Sequence, residues 1–203
     1  MEKKPTAGII LAAGMSIRFG RPKQLLKLKG KYLLEWVLDA SLESMIESLT
    51  LVLGHEHQKI QRALGKKAQL PNLEVVINPR YQEGLSQSLR AGLLRVRQKF
   101  GSVMFLLGDQ PLVDSVTIDH LLDQFWRSEK DICVPVYQGK KGNPTIFSSS
   151  LYDRLLKIQG DIGARHIIQA YPERVLYVEL KDPLCFFDID TEKDYNALRT
   201  VRP

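Results

Sequence analysis

Residues 7–23 read AGIILAAGMSIRFGRPK, and two different chemistries meet within them. Ala7 to Ala13 is a short, continuous apolar run bounded by Pro5 and Gly14. That pattern suits a strand buried on both faces. Directly after it Gly14, Gly20 and Pro22 break the periodicity, while Arg18, Arg21 and Lys23 crowd the same segment. Glycine lets backbone N–H groups approach an anion, and Arg and Lys add fixed positive charge, so the segment is equipped to cradle phosphates. A turn with exposed basic residues would read the same way on spacing alone. The segment is neither a Walker A loop, which needs Gly-Lys-Ser/Thr, nor a G-x-G-x-x-G dinucleotide fingerprint.

The strand character returns at 49–53, 73–77, 103–107 and 132–136, and helical spacing fills the gaps: Leu33, Leu34, Val37, Leu38 and Leu42; Ile60 to Leu64; Leu85, Leu89, Leu93 and Val96; Ile118, Leu121, Leu122 and Phe125. Strands alternating with helices predict an α/β fold with a mostly parallel central sheet, helices on both faces and a ligand site outside the carboxyl ends of the strands. Later, 145–147 and 175–180 read as strands, 151–158 and 164–171 as helices, and a further helix begins near Thr191.

The 203 residues suit one domain, and a composition that is 44% hydrophobic and 26% charged is that of a globular chain with a sizeable core. A net charge of +6 favours anionic partners. No basic stripe interleaved with aromatics points to nucleic acid, and no apolar run approaches a membrane span. Cys133 and Cys185 can build neither a disulfide framework nor a four-cysteine zinc site, so a reducing, cytoplasmic setting is expected and both read as core residues. The start, MEKKPTAGIILAAG, superficially mimics a secretion signal, but its apolar part is needed as the first core strand. His55 and His57 read as a solvated loop rather than a metal pair.

Two acidic positions stand out. Asp109 lies just past the apolar run 103–107, where a carboxylate calls for a metal or a cationic partner, or else closes an Asx turn within Gly108–Pro111. Asp188 and Asp190 flank Ile189, so in an extended segment both carboxylates face one side; Asp190 is the better metal ligand, with a cap for the following helix as its alternative role.

LAAGMSIRFGRPK (11–23), NPRYQEGLSQSLRAG (78–92), FLLGDQP (105–111), GNPTIF (142–147), GDIGAR (160–165) and DIDTEKDY (188–195) together resemble, in order along nearly the whole chain, the MobA-like nucleotidyltransferases. The resemblance is closest to the molybdenum cofactor cytidylyltransferase branch, whose loop carries Ala-Ala-Gly and Pro-Lys. It implies a single three-layer, Rossmann-like nucleotidyltransferase domain over 1–203, with a nucleotide-binding part at about 5–115 and an acceptor-binding part at about 116–203. It implies catalytic roles for Lys23, Arg18 and Asp109, and nucleotide contacts from Leu11, Ala12, Ala13, Gly14, Arg18, Lys23, Gly84 and Ser88. Asp109 and Asp190 would hold Mg²⁺, and Asn143, Asp161 and Arg165 would meet the acceptor. The implied reaction moves CMP from CTP to molybdopterin, the product serving a molybdenum hydroxylase such as xanthine dehydrogenase. Residues leave other roles open: Ser86 or Ser88 can cap a helix, and Arg165 can pair with Asp161. Tyr81 departs from the Trp frequent in that branch. Rival functions are transfer to a sugar phosphate or methylerythritol phosphate, and a non-catalytic nucleotide-binding maturation factor.

Overall fold

The computed structural model describes residues 5–161 and 163–199, with only the backbone at 184 and 185. The side chain of Cys185 thus lies outside the described residues. The elements run β1 (Thr6–Ala12), β2 (Lys27–Leu28), β3 (Lys31–Tyr32), α1 (Leu33–Leu42), β4 (Ser48–Leu53), α2 (His57–Leu64), β5 (Leu73–Ile77), α3 (Leu85–Val96) and β6 (Ser102–Leu107). They continue as α4 (Ser115–Arg127), β7 (Ile132–Tyr137), β8 (Lys140–Lys141), β9 (Thr145–Ser148), α5 (Tyr152–Leu155), α6 (Arg165–Ala170), β10 (Val175–Glu179) and α7 (Glu192–Leu198).

One eight-stranded sheet takes the order β10-β7-β9-β6-β1-β4-β5, with β8 added to β7; β2 and β3 pair separately. β1 is central and parallel to both neighbours, Ala12 lying opposite Leu53 of β4 and Leu11 opposite Leu107 of β6. β9 runs antiparallel between β6 and β7. The chain travels from β1 through β4 to the β5 edge and then returns across the sheet to β6. Right-handed crossovers in opposite directions deposit their helices on opposite faces. Leu34, Leu38 and Ile60, from α1 and α2, accordingly pack with Ile10, Leu51 and Leu106 on one face, and Leu122 of α4 joins them there although its crossover from β6 to β7 runs in the return direction, a departure from that rule. Leu89 and Leu93 of α3, with Ile167 and Ile168 of α6, pack with Ile9, Leu11 and Phe105 on the other. This is the three-layer arrangement that the alternating pattern predicts.

Two helices differ from their expected form. The helix read over 151–158 is a short α5 that winds out through tight i→i+3 bonds, Lys157 N–H to Arg154 O and Ile158 N–H to Leu155 O, before Gly160 turns into the left-handed region. No serine caps α3: its N-cap is Gly84, and both serines sit inside the helix. Cys133 is in the core as expected, and burial pushes its thiol up to about 12. Among the described residues no helix is long and apolar enough to cross a membrane.

Candidate active site

A third, smaller hydrophobic cluster sets up the chemistry. Leu26, Leu28 and Leu33, from the hairpin region after the basic loop, pack with Ile189 and Leu198 near the end of the chain, and Phe19 of the loop leans on the same cluster. Ile189 has no exposed surface. Burying this one side chain between two aspartates delivers the 188–190 segment to the end of β1, which sequence separation alone would never suggest. Tyr195 of α7 tightens the connection with a 2.6 Å hydrogen bond to the carbonyl of Lys27. Replacing Ile189 with Ala should cost about 2–5 kcal/mol in urea denaturation and loosen Asp190, so Mn²⁺ binding should weaken in the same variant.

The loop after β1 folds back on itself. Ser16 adopts a left-handed conformation, its hydroxyl accepts the N–H of Lys23 at 3.1 Å, and Phe19 N–H returns to Ser16 O. The carbonyls at its root are consumed internally: Gly108 N–H takes Leu11 O, the buried Gln24 amide takes Ala12 O at 2.9 Å, and His55 N–H takes Ala13 O. The N–H groups of Gly14 and Met15 donate to no acceptor among the described residues. The loop therefore keeps the donors that an anion would need.

Lys23 reaches the centre of the site. Its ammonium lies 2.5 Å from Asp109, 3.2 Å from Asp190 and 3.1 Å from the carbonyl of Ile189. Lys23 and Asp109 are 16% and 19% exposed, so water screens their contact less than it would at the surface. Burial pushes the pKa of Lys23 down, but the charges and hydrogen bonds of Asp109 and then Asp190 outweigh it and hold it above the usual lysine value. Arg18, mostly exposed, stands 3.7 Å from Asp190. Asp188 is turned elsewhere, accepting a 2.7 Å bond from the Gln110 amide. Thr191, not Asp190, caps α7 through its hydroxyl. Asp190 is thereby available to the cleft.

The residues to which the resemblance assigns a site role line one cleft of about 1150 Å³: Leu11 to Gly14, Arg18, Lys23, Gly84, Ser88, Asp109, Asn143, Asp161, Arg165 and Asp190. It opens at the carboxyl ends of β1 and β6. The basic loop, Tyr81 to Leu85, Lys141 to Asn143 and Gly163 to Arg165 line it. The Ser88 hydroxyl accepts from Asn78 at 3.0 Å. Gly84 has φ +103°, and a Cβ on it would sit 2.7 Å from the backbone of Gly160, so the two segments touch main chain to main chain. Asp161 and Arg165 do not pair: Asp161 accepts the N–H of Leu85 at 3.0 Å, and Arg165 is exposed with no ion pair among the described residues. Gln24, Gln110 and Lys141 also belong to the site or its support, and sequence reading passed over them. Buried glutamines carry no periodic signal, and Lys141 sits on a two-residue strand.

Among the described residues no group of three or more His, Cys, Asp or Glu side chains is arranged to hold a metal ion. Asp109 and Asp190 do converge on one cation, the Lys23 ammonium, with hard oxygen donors. A site of that kind suits a divalent ion that takes its remaining ligands from phosphates and water.

A strand-end loop with unused N–H donors, beside converging carboxylates in a cleft large enough for two substrates, is the site of a nucleotidyltransferase. Residues 8–175 match the MobA-like NTP transferase domain model, and the chain belongs to that family. The purine catabolism protein PucB of Bacillus subtilis is 27% identical over 199 residues, with 95% of each chain covered. Nicotine blue oxidoreductase of Paenarthrobacter nicotinovorans is 28% identical over 94% of this chain and 95% of its own. A Thermococcus kodakarensis protein named probable molybdenum cofactor guanylyltransferase is 27% identical over 96% and 94%. The crystal structure of Rv0371c from Mycobacterium tuberculosis superposes with a TM-score of 0.83 at 29% identity, covering 99% of this chain and 100% of that one. The same protein has been solved in complex with manganese (TM-score 0.79, 29% identity, 97% and 99% covered).

Proposed function

We propose that this nucleotidyltransferase moves CMP from CTP to molybdopterin in a Mg²⁺-dependent reaction, in the cytoplasm, for delivery to a molybdenum hydroxylase such as xanthine dehydrogenase. The observation that carries it is the convergence of Lys23, Asp109 and Asp190 at the mouth of the basic loop. The cytidylyl assignment rests on the Ala12-Ala13-Gly14 and Pro22-Lys23 pairs, which resemble that branch. The manganese complex of the mycobacterial relative supports a divalent ion. The part at about 5–115 takes the nucleotide and the part at about 116–203 takes the acceptor, within one domain.

No protein nucleophile is needed. A phosphate oxygen of the acceptor attacks the α-phosphorus of the triphosphate, the bond to the bridging oxygen breaks, and pyrophosphate leaves with the electron pair. The protein positions the reactants and stabilises charge. Lys23 and Arg18 hold the phosphates, Gly14 adds a backbone donor, and Gly84 and Ser88 border the base and ribose. Asn143 and Arg165 face the acceptor's phosphate, with Asp161 beside them. Asp109 and Asp190 would hold Mg²⁺, which neutralises charge on the phosphates when bound.

A second reading, GMP transfer, is favoured by the relatives named guanylyltransferase. Pyrophosphate release measured with each nucleoside triphosphate, Mg²⁺ and a panel of acceptors tests both. Release with CTP and molybdopterin is expected. Release only with GTP would move the assignment to the guanylyl reaction, and release only with a sugar phosphate or methylerythritol phosphate would overturn the molybdopterin acceptor. A protein that binds nucleotide but releases nothing with any pair would instead be a non-catalytic maturation factor.

A further inference from the structure

The start of α3 is built on an adjoining loop that is distant in sequence and also lines the cleft. An α-helix begins with N–H groups that have no partner inside it, and a side-chain oxygen normally supplies one from the residue just before the helix. Here that residue is Gly84, which has no side chain to offer. The missing acceptors arrive from far along the chain: Asp161 Oδ1, 76 residues on, takes the N–H of Leu85 at 3.0 Å, and Gly160 O takes that of Ser86 at 3.1 Å. Two glycines make the approach possible. A Cβ on Gly84 would strike the Gly160 backbone at 2.7 Å, and one on Gly163 would meet Leu85 Cδ2 at 2.9 Å. The Asp161 carboxylate also sits at the positive end of the helix dipole.

We propose that Asp161 is a positioning residue for the nucleotide half of the cleft: by capping α3 from the adjoining 160–165 loop it fixes where Gly84 and Ser88 stand, and it does not act as a ligand of the acceptor. The same loop leads into Arg165, so one contact ties the nucleotide-facing segment to the acceptor-facing one. Asp161 meets no cationic side chain among the described residues, and its oxygen is already committed to a backbone donor. This inference rests on Gly84 and Ser88 facing the nucleotide, as proposed above.

Asparagine keeps an oxygen acceptor and caps helices about as well as aspartate, whereas alanine offers none. The test therefore compares Asp161→Asn with Asp161→Ala in the whole protein, by titration with CTP and with GTP in Mg²⁺ without acceptor, and by amide hydrogen exchange at Leu85. Asp161→Ala should weaken nucleotide binding roughly 3- to 10-fold, as expected for a lost cap, and accelerate exchange at Leu85. Asp161→Asn should stay close to wild type in both. Unchanged nucleotide affinity in Asp161→Ala would overturn the inference, as would Asp161→Asn failing as badly as Asp161→Ala while Leu85 exchange stays slow, since charge and not capping would then be at work. A wild-type protein that binds neither nucleotide would bring down the proposed function itself. Binding by wild type with no effect of the alanine brings down only the role of Asp161.

Discussion

Asp109→Asn should abolish metal-dependent turnover, with kcat/KM falling on the order of 10³-fold, comparable to losing one well-placed electrostatic contact to a transition state or somewhat more. The substitution is nearly isosteric, so shape and packing at the end of β6 are kept and only the charge is lost. Asp109 is 19% exposed and held at 2.5 Å from Lys23 by a strand that pairs with β1 across Leu11 and Leu107. Its carboxylate is thus fixed in place before any substrate arrives. Nucleotide binding without metal should change much less than kcat, because Asp109 shares the phosphates' sign and does not hold them directly. Full magnesium-dependent turnover in Asp109→Asn would sink the mechanism. A parallel urea titration separates a chemical effect from a folding one.

The fold was legible wherever one segment carries its own answer. The runs that became β1, β4, β6 and β7 are short and almost wholly apolar because strands covered on both faces have no side to leave polar, whereas β5, at the sheet edge, leaves Glu74 exposed. What could not be read is what depends on distant partners. Nothing in Thr145–Ser148 says that β9 inserts antiparallel between β6 and β7, because pairing order is set by contacts far apart in sequence. The alternation of Asp188, Ile189 and Asp190 was visible, but which aspartate enters the cleft depends on the cluster around Ile189 and on the Gln110 amide that engages Asp188. Ser86 looked like a helix cap because serine usually is one. The loop carrying Asp161 supplies the cap instead, and that loop is invisible from the helix's own residues. The same loop explains why the Asp161–Arg165 pair, one of two roles open to Arg165 in the sequence, does not form: α3 has taken the carboxylate.

Lys23→Met should lower kcat/KM by roughly 10²–10³-fold and, in the same protein, tighten the binding of Mn²⁺ measured without nucleotide. The two effects have one cause. In the structure the Lys23 ammonium is the cation that Asp109 and Asp190 share, so a metal ion entering alone competes with it, and phosphates that attract Lys23 relieve the competition. Removing the ammonium leaves two like charges close together, which favours a replacement cation and lowers stability in its absence. Asp109→Asn should shift Mn²⁺ affinity the opposite way, and the double variant should cost less than the two single losses combined because each acts on the same contact. The pH dependence follows from the direction of the shift. Because the folded protein holds the Lys23 pKa above its unfolded value, the pair's contribution to stability is fully present below the ordinary lysine range and is lost only as pH rises through the still higher folded value. Between neutral pH and about pH 9, well below the unperturbed lysine value, thermal stability should thus show no step that Lys23→Met removes. Such a step, or Mn²⁺ binding unchanged by Lys23→Met, would mean that the ammonium does not occupy the cation position between the two aspartates.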